Sequence, residues 1–506
     1  MSEHTRSPGD TGTPQRILRT RDAVAIIVGL VIGAGIFRLP SLVAGNAADP
    51  LGFYGYWLAG GVISLIGALC YCELASTYPD AGGDYHFLQR AFGRPVSFLF
   101  AWARLAVITT GSIAVLGYTF GDYASNLLKL GPHSAAIWAA LAVVGLTIVN
   151  LIGTRNSRTA QNVLTVFEVC GVGAATPVGL PWAAAAGGGP PGRARGGGAG
   201  GGGLLWAEPA VAPTVSAAGA GGSAAGAAAA AGGSAAGAGA SAAGGFSTAV
   251  WLAGAPVAIL FVLFTYGGWN DGAYISAELR GRRSIVTALV LSLAIVTLLY
   301  LAINVAYVRT LGLAGVAGSS TVAADVLRVG LGDTAAALIS LIVAVSALTS
   351  INATIIVGGR SNYALGRDWP LFGWLGRWNA RGDAPRNALL MQGCAALLLI
   401  VAGAFTDKIE TMVNYTMPVF WFFFMLVGIG LIVLRVRDPG AERPFRVPGY
   451  PVTPLLFIAT CAWLLYSSLA YVRNGAWVGF GVLVLGALLL LASGTRRPAG
   501  APAGSR

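Results

Sequence analysis

The sequence predicts an all-α, polytopic membrane protein, and three observations predict it. Of 506 residues, 55% are hydrophobic and 10% charged, against about 25% charged in a typical soluble domain. Apolar runs recur from Ala23 to Ala492, each near the roughly 20 helical residues that cross a bilayer. The charges sit in the short stretches between those runs. The formal net charge of +12 comes almost wholly from arginine, with Lys129 and Lys408 the only lysines. Confined to short loops, that charge reads as the bias that orients membrane proteins, not as a nucleic-acid surface. The expected partner is the lipid bilayer; no nucleic acid is expected.

Twelve spans are expected along the chain. The first runs from Asp22 to Ala44, the second from Phe53 to Thr77, the third from Ala91 to Leu128 and the fourth from Ser134 to Ile152. The fifth starts near Thr159. The sixth covers Thr248 to Glu278, the seventh Ile285 to Val308 and the eighth Asp333 to Tyr363. The last four are Asn387–Phe405, Ile409–Leu434, Thr453–Val472 and Trp477–Ser493. Loop charge agrees with an even count. One set of loops carries Arg90, Arg94, Arg155, Arg158, Arg280, Arg282, Arg283, Arg367, Arg377, Arg381, Arg386, Arg435, Arg437, Arg443 and Arg446. The other set holds little beyond Lys129, Arg309, Arg328, Lys408 and Arg473. By the positive-inside rule both termini are expected in the cytoplasm, and the protein in the cytoplasmic membrane. Residues 1–21 are polar and basic without an apolar core, so they read as a cytoplasmic tail and not as a signal peptide.

Residues 174–245 break the pattern, being nearly all Ala, Gly, Pro and Ser. They read either as a long low-complexity outer loop or as the product of two compensating frameshifts in GC-rich DNA, and carry no expected function.

Two spans contain residues that a lipid-embedded helix avoids. The first holds Gly33-Ala34-Gly35, and each glycine weakens a helix by about 1 kcal/mol relative to alanine. The sixth holds Phe264-Thr265-Tyr266-Gly267-Gly268-Trp269-Asn270. A helix broken inside the membrane is tolerated where its freed N–H and C=O groups face protein, water or a ligand. Breaks in spans lying five apart point to an inverted repeat of five plus five spans, with the site at the repeat interface. The chain then divides into a first repeat (22–173), the low-complexity region (174–245), a second repeat (246–434), two further spans (435–494) and a tail (495–506).

At these residues the chain resembles the amino acid–polyamine–organocation transporters, and most nearly their L-type amino-acid-transporter-like branch. The motifs are Gly33-Ala34-Gly35-Ile36-Phe37 followed by Pro40, then Cys72-Glu73-Leu74 leading to Gly82-Gly83-Asp84-Tyr85. Phe264 to Asn270, Glu278-Leu279-Arg280 and the run Arg443-Pro444-Phe445-Arg446-Val447-Pro448-Gly449-Tyr450-Pro451 complete the set. The resemblance implies a LeuT-type fold, alternating access and an amino acid substrate. It departs at Ala34, where many relatives carry Ser, and at Glu168, where relatives often carry a Lys thought to replace a coupling sodium ion.

The chemistry of a zwitterion fits the breaks. The N–H groups at the start of the half-helix near Gly35 suit a carboxylate. Gly33 and Gly35 let it approach the main chain, and carbonyls at Ile32 and at Phe264 to Gly267, Tyr266 included, suit an ammonium. Phe264 is expected to gate the site by the resemblance, and Trp269 to wedge the break. Asn270 either reaches the substrate or ties the unwound backbone. Thr109, Thr110 and Ser112 are candidates for the side-chain end of the pocket. Asp271 would suit a cationic side chain, but the scarcity of acids favours neutral substrates. Ser346, Thr349 and Ser350 share a helix face. With carbonyls of Gly29 and Ile32 they resemble the second sodium site of this fold. Glu168, a charge inside a span, is expected to serve coupling to sodium or a proton. Arg104 and Glu73 are expected to be structural partners.

The expected activity is cation-coupled amino acid symport, with exchange, or a sensor that binds without moving substrate, as alternatives. His4, His86 and His133 are scattered, and Cys70, Cys72, Cys170, Cys394 and Cys461 all lie in apolar runs. No metal cluster, cofactor or catalytic set is expected, hence no enzyme. No motif near Cys170 suggests a disulfide-linked accessory subunit, and none is expected.

Overall fold

The computed structural model describes residues 19–80, 82–153, 159–161, 163–164, 248–379, 384–405, 408–472 and 476–493. Glu168, Cys170 and residues 174–245 lie outside that set. What is described is helix, turn or loop apart from isolated bridge residues, among them the pair Asn379 and Ala384. The first span is three pieces: α1 (Thr20–Val31), α2 (Gly35–Arg38) and α3 (Pro40–Ala44). Then come α4 (Pro50–Thr77), α5 (Asp84–Phe92) and α6 (Arg94–Ala103). A π-helical turn, Arg104–Ile108, leads without a break into α7 (Thr109–Leu127), and α8 is Ser134–Ile152. Next, α9 (Thr248–Thr265) ends at a turn followed by a 3-10 segment, Trp269–Glu278. The remainder is α10 (Ser284–Gly318), α11 (Val322–Leu331), α12 (Asp333–Asp368), α13 (Arg386–Ala404), α14 (Lys408–Arg437), α15 (Val452–Val472) and α16 (Ala476–Ser493).

Among the described residues nine helices are long and apolar enough to cross a membrane. The expected count of twelve is not reached. The broken first span leaves only Ala23–Arg38 as an apolar stretch, the last shows only Gly481–Leu491, and most of the fifth is outside the description. Some boundaries also move. The third span begins at Arg94, because Gly93 turns the chain at φ +85° and splits off α5. The seventh runs on to Gly318 across a kink at Gly312. The short α11, mostly apolar but carrying Asp325 and Arg328, had no expected counterpart.

Helices close on one another through small residues, as in lipid, where close packing drives association. On α4 a Cβ at Gly60 would lie 2.3 Å from Val262 of α9, one at Gly61 2.5 Å from Thr297 of α10, and one at Gly67 2.6 Å from Phe457 of α15. α4 is thus held between three neighbours. Its start is capped by Asp49, which accepts from the Gly52 N–H at 2.7 Å. Around its buried Trp57 sit Tyr266 and Tyr300, forming an aromatic cluster against the two breaks.

Candidate functional site

The first span is regular to Val31, and the Ile32 N–H still donates to Val28 O at 2.8 Å. Gly33 N–H then turns back to Val31 O at 2.9 Å, and regular helix resumes at Gly35. Among the described residues, no partner accepts from the Ala34, Gly35 or Ile36 N–H groups, and none donates to the Ile32 or Gly33 carbonyls. Ala34 and Ile36 are fully buried. These three successive amides, two in buried residues and one in half-buried Gly35, are the free N–H groups that a helix start leaves, and they suit an anion. Leu39 joins α2 to α3 with helical dihedrals, so these amides open a helix that continues to Ala44.

The sixth span comes apart in a complementary way. Gly267 N–H donates to Phe264 O at 3.1 Å, and Gly268 takes φ +104°. The Tyr266 and Gly267 carbonyls accept no hydrogen bond from any described residue. The two breaks meet directly: a Cβ at Gly268 would lie 2.6 Å from Leu30 O, and one at Gly35 3.6 Å from Thr265 Cγ2. Tyr300 of α10, fully buried, fastens them together. Its hydroxyl lies 2.8 Å from Val31 O and 3.3 Å from Thr265 O, the last helical carbonyl of each broken rod.

Around these breaks the expected residues sort themselves. Ile32, Gly33, Ala34, Gly35 and Gly267 make up the interruptions. The Phe264 and Thr265 carbonyls are already engaged, by Gly267 N–H and Tyr300, which leaves Tyr266 and Gly267 as acceptors. The Tyr266 side chain faces away, its hydroxyl donating to Trp57 O at 3.1 Å. Phe264 is half-buried beside the break. Trp269 wedges behind it, edge-on to Tyr71 at 5.1 Å and to Phe424 at 5.8 Å. Asn270 is buried.

On the third span, Thr110 and Ser112 bond back to Ala106 O and Ile108 O. Thr109 turns its methyl onto Gly358 of α12, where a Cβ would sit 2.5 Å from it. Of the hydroxyl face on α12, Ser350 Oγ is 3.6 Å from where a Gly33 Cβ would be. Thr349 donates to Val345 O, and Ser346 is buried on the same face. Gly29, by contrast, is exposed with nothing near it. Gln161, seven residues before Glu168 in the sequence, accepts from Asn352 at 2.8 Å, and Asn352 accepts in turn from Asn150 at 2.7 Å.

Each end of the broken spans is tied to the third span by charge. At one end Arg38 of α2 meets Asp122 of α7 at 3.2 Å, and Tyr123 donates to Phe37 O at 2.8 Å. At the other, Arg104 of the π turn donates to the Tyr274 hydroxyl and approaches Asp271 at 3.7 Å. Sequence reasoning passed over Arg38, Asp122, Tyr274 and Tyr300. A charge inside or beside an apolar run was the available signal for the first two; nothing in the sequence distinguishes Tyr300 from other buried tyrosines. Glu73 and Arg104 do have partners. Glu73 takes both arms of Arg435, lies 3.6 Å from Arg443, and accepts from Val447 N–H at 2.7 Å. Two stretches that carry the family resemblance, around Glu73 and from Arg443 to Pro451, are therefore in contact.

A multi-pass helical membrane protein with main-chain polar groups bared at two facing breaks offers donors and acceptors that suit a small polar molecule. Comparison with known proteins supplies the family. The amino acid permease family model matches residues 18–490, and the chain belongs to that family. It is an amino acid transporter and not an enzyme. It is 26% identical over 476 residues to the mouse b(0,+)-type amino acid transporter 1, covering 92% of this chain and 85% of that one. The human b(0,+)-type amino acid transporter 1 is 27% identical over 465 residues, 90% and 82% of the two chains. The human large neutral amino acids transporter small subunit 2 is 27% identical over 469 residues, 92% and 78%. Its name makes it a small subunit, so the expectation of no accessory subunit draws no support from this comparison.

Proposed function

We propose that this protein takes up amino acids across the cytoplasmic membrane by alternating access, as a cation-coupled symporter. The substrate carboxylate docks on the N–H groups of Ala34, Gly35 and Ile36. Its ammonium is received by the carbonyls of Ile32, Gly33, Tyr266 and Gly267, with Phe264, Thr109 and Asn270 bordering the side chain. The observation that carries this reading is the run of three amides without acceptors in one break, facing a second break with free carbonyls: donors for a carboxylate and acceptors for an ammonium. The proposed frame is a LeuT-type fold of five plus five spans and two more, twelve in all, with cytoplasmic termini. The coupling ion, sodium or a proton, is assigned to Ser346, Thr349, Ser350, the Gly29 and Ile32 carbonyls and Glu168. Support comes from Ser350 beside Gly33 and from the Gln161–Asn352 bond.

Reconstitution into proteoliposomes tests the reading. Labelled neutral amino acids should accumulate when a sodium or a pH gradient is imposed, and Glu168→Gln should abolish the response to whichever gradient works. Accumulation only against internal amino acid would make the protein an exchanger; binding without movement would make it a sensor.

A further inference from the structure

Around Tyr274, at the arginine-rich end, one guanidinium, that of Arg104, lies among two carboxyl groups, those of Asp84 and Asp271. Arg104 serves Asp271 and Tyr274 and lies with its guanidinium 4.9 Å from the Tyr274 ring centre. The loop before α5 lies flat on that ring. Gly83 has φ +48°, and a Cβ there would be 2.6 Å from Tyr274, so only glycine fits both the conformation and the space. The next residue is Asp84, 3% exposed, whose Oδ1 has no hydrogen-bond partner among the described residues. One guanidinium thus serves two carboxyl groups; Tyr71 and Asn270 also reach the Asp84 carboxyl, but its Oδ1 is left without a partner, and burying a charge that is only partly satisfied is costly.

The groups facing Asp84 come from three elements. Tyr71 approaches from α4, Arg104 from the π turn, and Asn270, Asp271 and Tyr274 from the 3-10 segment. The other charges of α5 are used elsewhere: His86 lies 3.7 Å from Asp80, and Arg90 lies 3.7 Å from Asp438. α14 packs on the far end of α5, where Arg437 donates to Ala91 O. Burial pushes the Asp84 carboxyl up to about 7; Arg104 and hydrogen bonds from Tyr71 and Asn270 oppose this, and Asp271 adds to it.

Resting on the reading that this end opens and closes during transport, we propose that Asp84 is a proton-binding site of the closed end. The carboxylate takes one proton from water as the loop, the 3-10 segment and the π turn come together, and returns it when they part. The sign follows from linkage. A carboxyl raised in the closed state favours closure fully at acid pH, and that preference is lost as pH rises through about 7. Transport through this end then depends on pH even with no proton gradient.

The test is hydrogen–deuterium exchange of residues 269–283 in the full-length protein, from pH 5.5 to 8.5 and corrected for intrinsic rates. In the unaltered protein, protection should fall severalfold with a midpoint near 7. In Asp84→Asn it should stay high throughout. Asp271→Asn, which leaves Arg104 to Asp84 alone, should move the midpoint to lower pH. A flat profile in the unaltered protein, or an unchanged midpoint in either variant, overturns the proposal. Amino acid uptake measured in parallel separates the two readings. Uptake with an unchanged exchange midpoint in Asp84→Asn sinks the proton site alone. No uptake at any pH, with the exchange profile as expected, sinks the transport reading alone.

Discussion

Tyr300 shows how much one hydroxyl can be asked to do. It stands between Val31 O, which also accepts from Gly33 N–H, and Thr265 O, which its own helix cannot satisfy because that helix ends there. Its ring is stacked edge-on against Trp57 at 5.8 Å and Tyr266 at 5.1 Å, which fixes where the hydroxyl points. Tyr300→Phe keeps that packing and removes only the donor. It should cost about 1–3 kcal/mol, the penalty for stranding a buried acceptor, read as a lower thermal midpoint in detergent. Substrate affinity should fall as well, because the two breaks lose their common fastener. A variant with unchanged midpoint and affinity would mean that the breaks hold themselves together. Gly268 is the counterpart on the main chain: its conformation and its approach to Leu30 O both need the absence of a Cβ.

At the scale of elements, the broken helices are legible in the sequence and their fastenings are not. Gly33-Ala34-Gly35 and Gly267-Gly268 announce interruptions because glycine pairs are expensive in a lipid-embedded rod. The partners across space, Arg38 with Asp122 and Arg104 with Tyr274, depend on how α7 and the π turn are rotated, which no periodicity records. The short helices α5 and α11 were hidden for a related reason: Gly93 and Gly332, at φ +85° and +83°, cut them from longer apolar stretches. The pair at the arginine-poor end yields a prediction. Arg38 and Asp122 are 17% and 10% exposed, so their charges are only partly screened. Arg38→Gln should destabilise the protein by about 1.5–3 kcal/mol, the range for a hydrogen bond to a charged group. A double-mutant cycle with Asp122→Asn should return a coupling of about 0.5–3 kcal/mol. Additive effects in that cycle would show that the contact carries no energy of its own.

For the whole molecule, hydropathy was enough to establish a helical membrane protein, and loop arginines to suggest its orientation. What hydropathy misses is how distant parts are tied. Glu73, 1% exposed, binds Arg435 with both oxygens and anchors the segment leading into α15 through Arg443 and Val447. Removing one member of a buried ion pair costs about 3–5 kcal/mol. Glu73→Gln should therefore lower the thermal midpoint markedly and expose residues 438–451 to proteolysis; persistence of the native midpoint would remove Glu73 from this role. The third span ties more distant parts still. It engages the first span's second half through Asp122 and the sixth span's 3-10 half through Arg104, with the wide turn Arg104–Ile108 between. Such a turn accommodates one residue more than regular winding, and each residue of an α-helix advances the azimuth by about 100°. Shortening the stretch between Arg104 and Asp122 by a single residue would swing the acid about a quarter-circle away from its arginine. The angular phase between the two ends of this rod is therefore an inherited quantity, as binding on descendants of this chain as any side chain in the site.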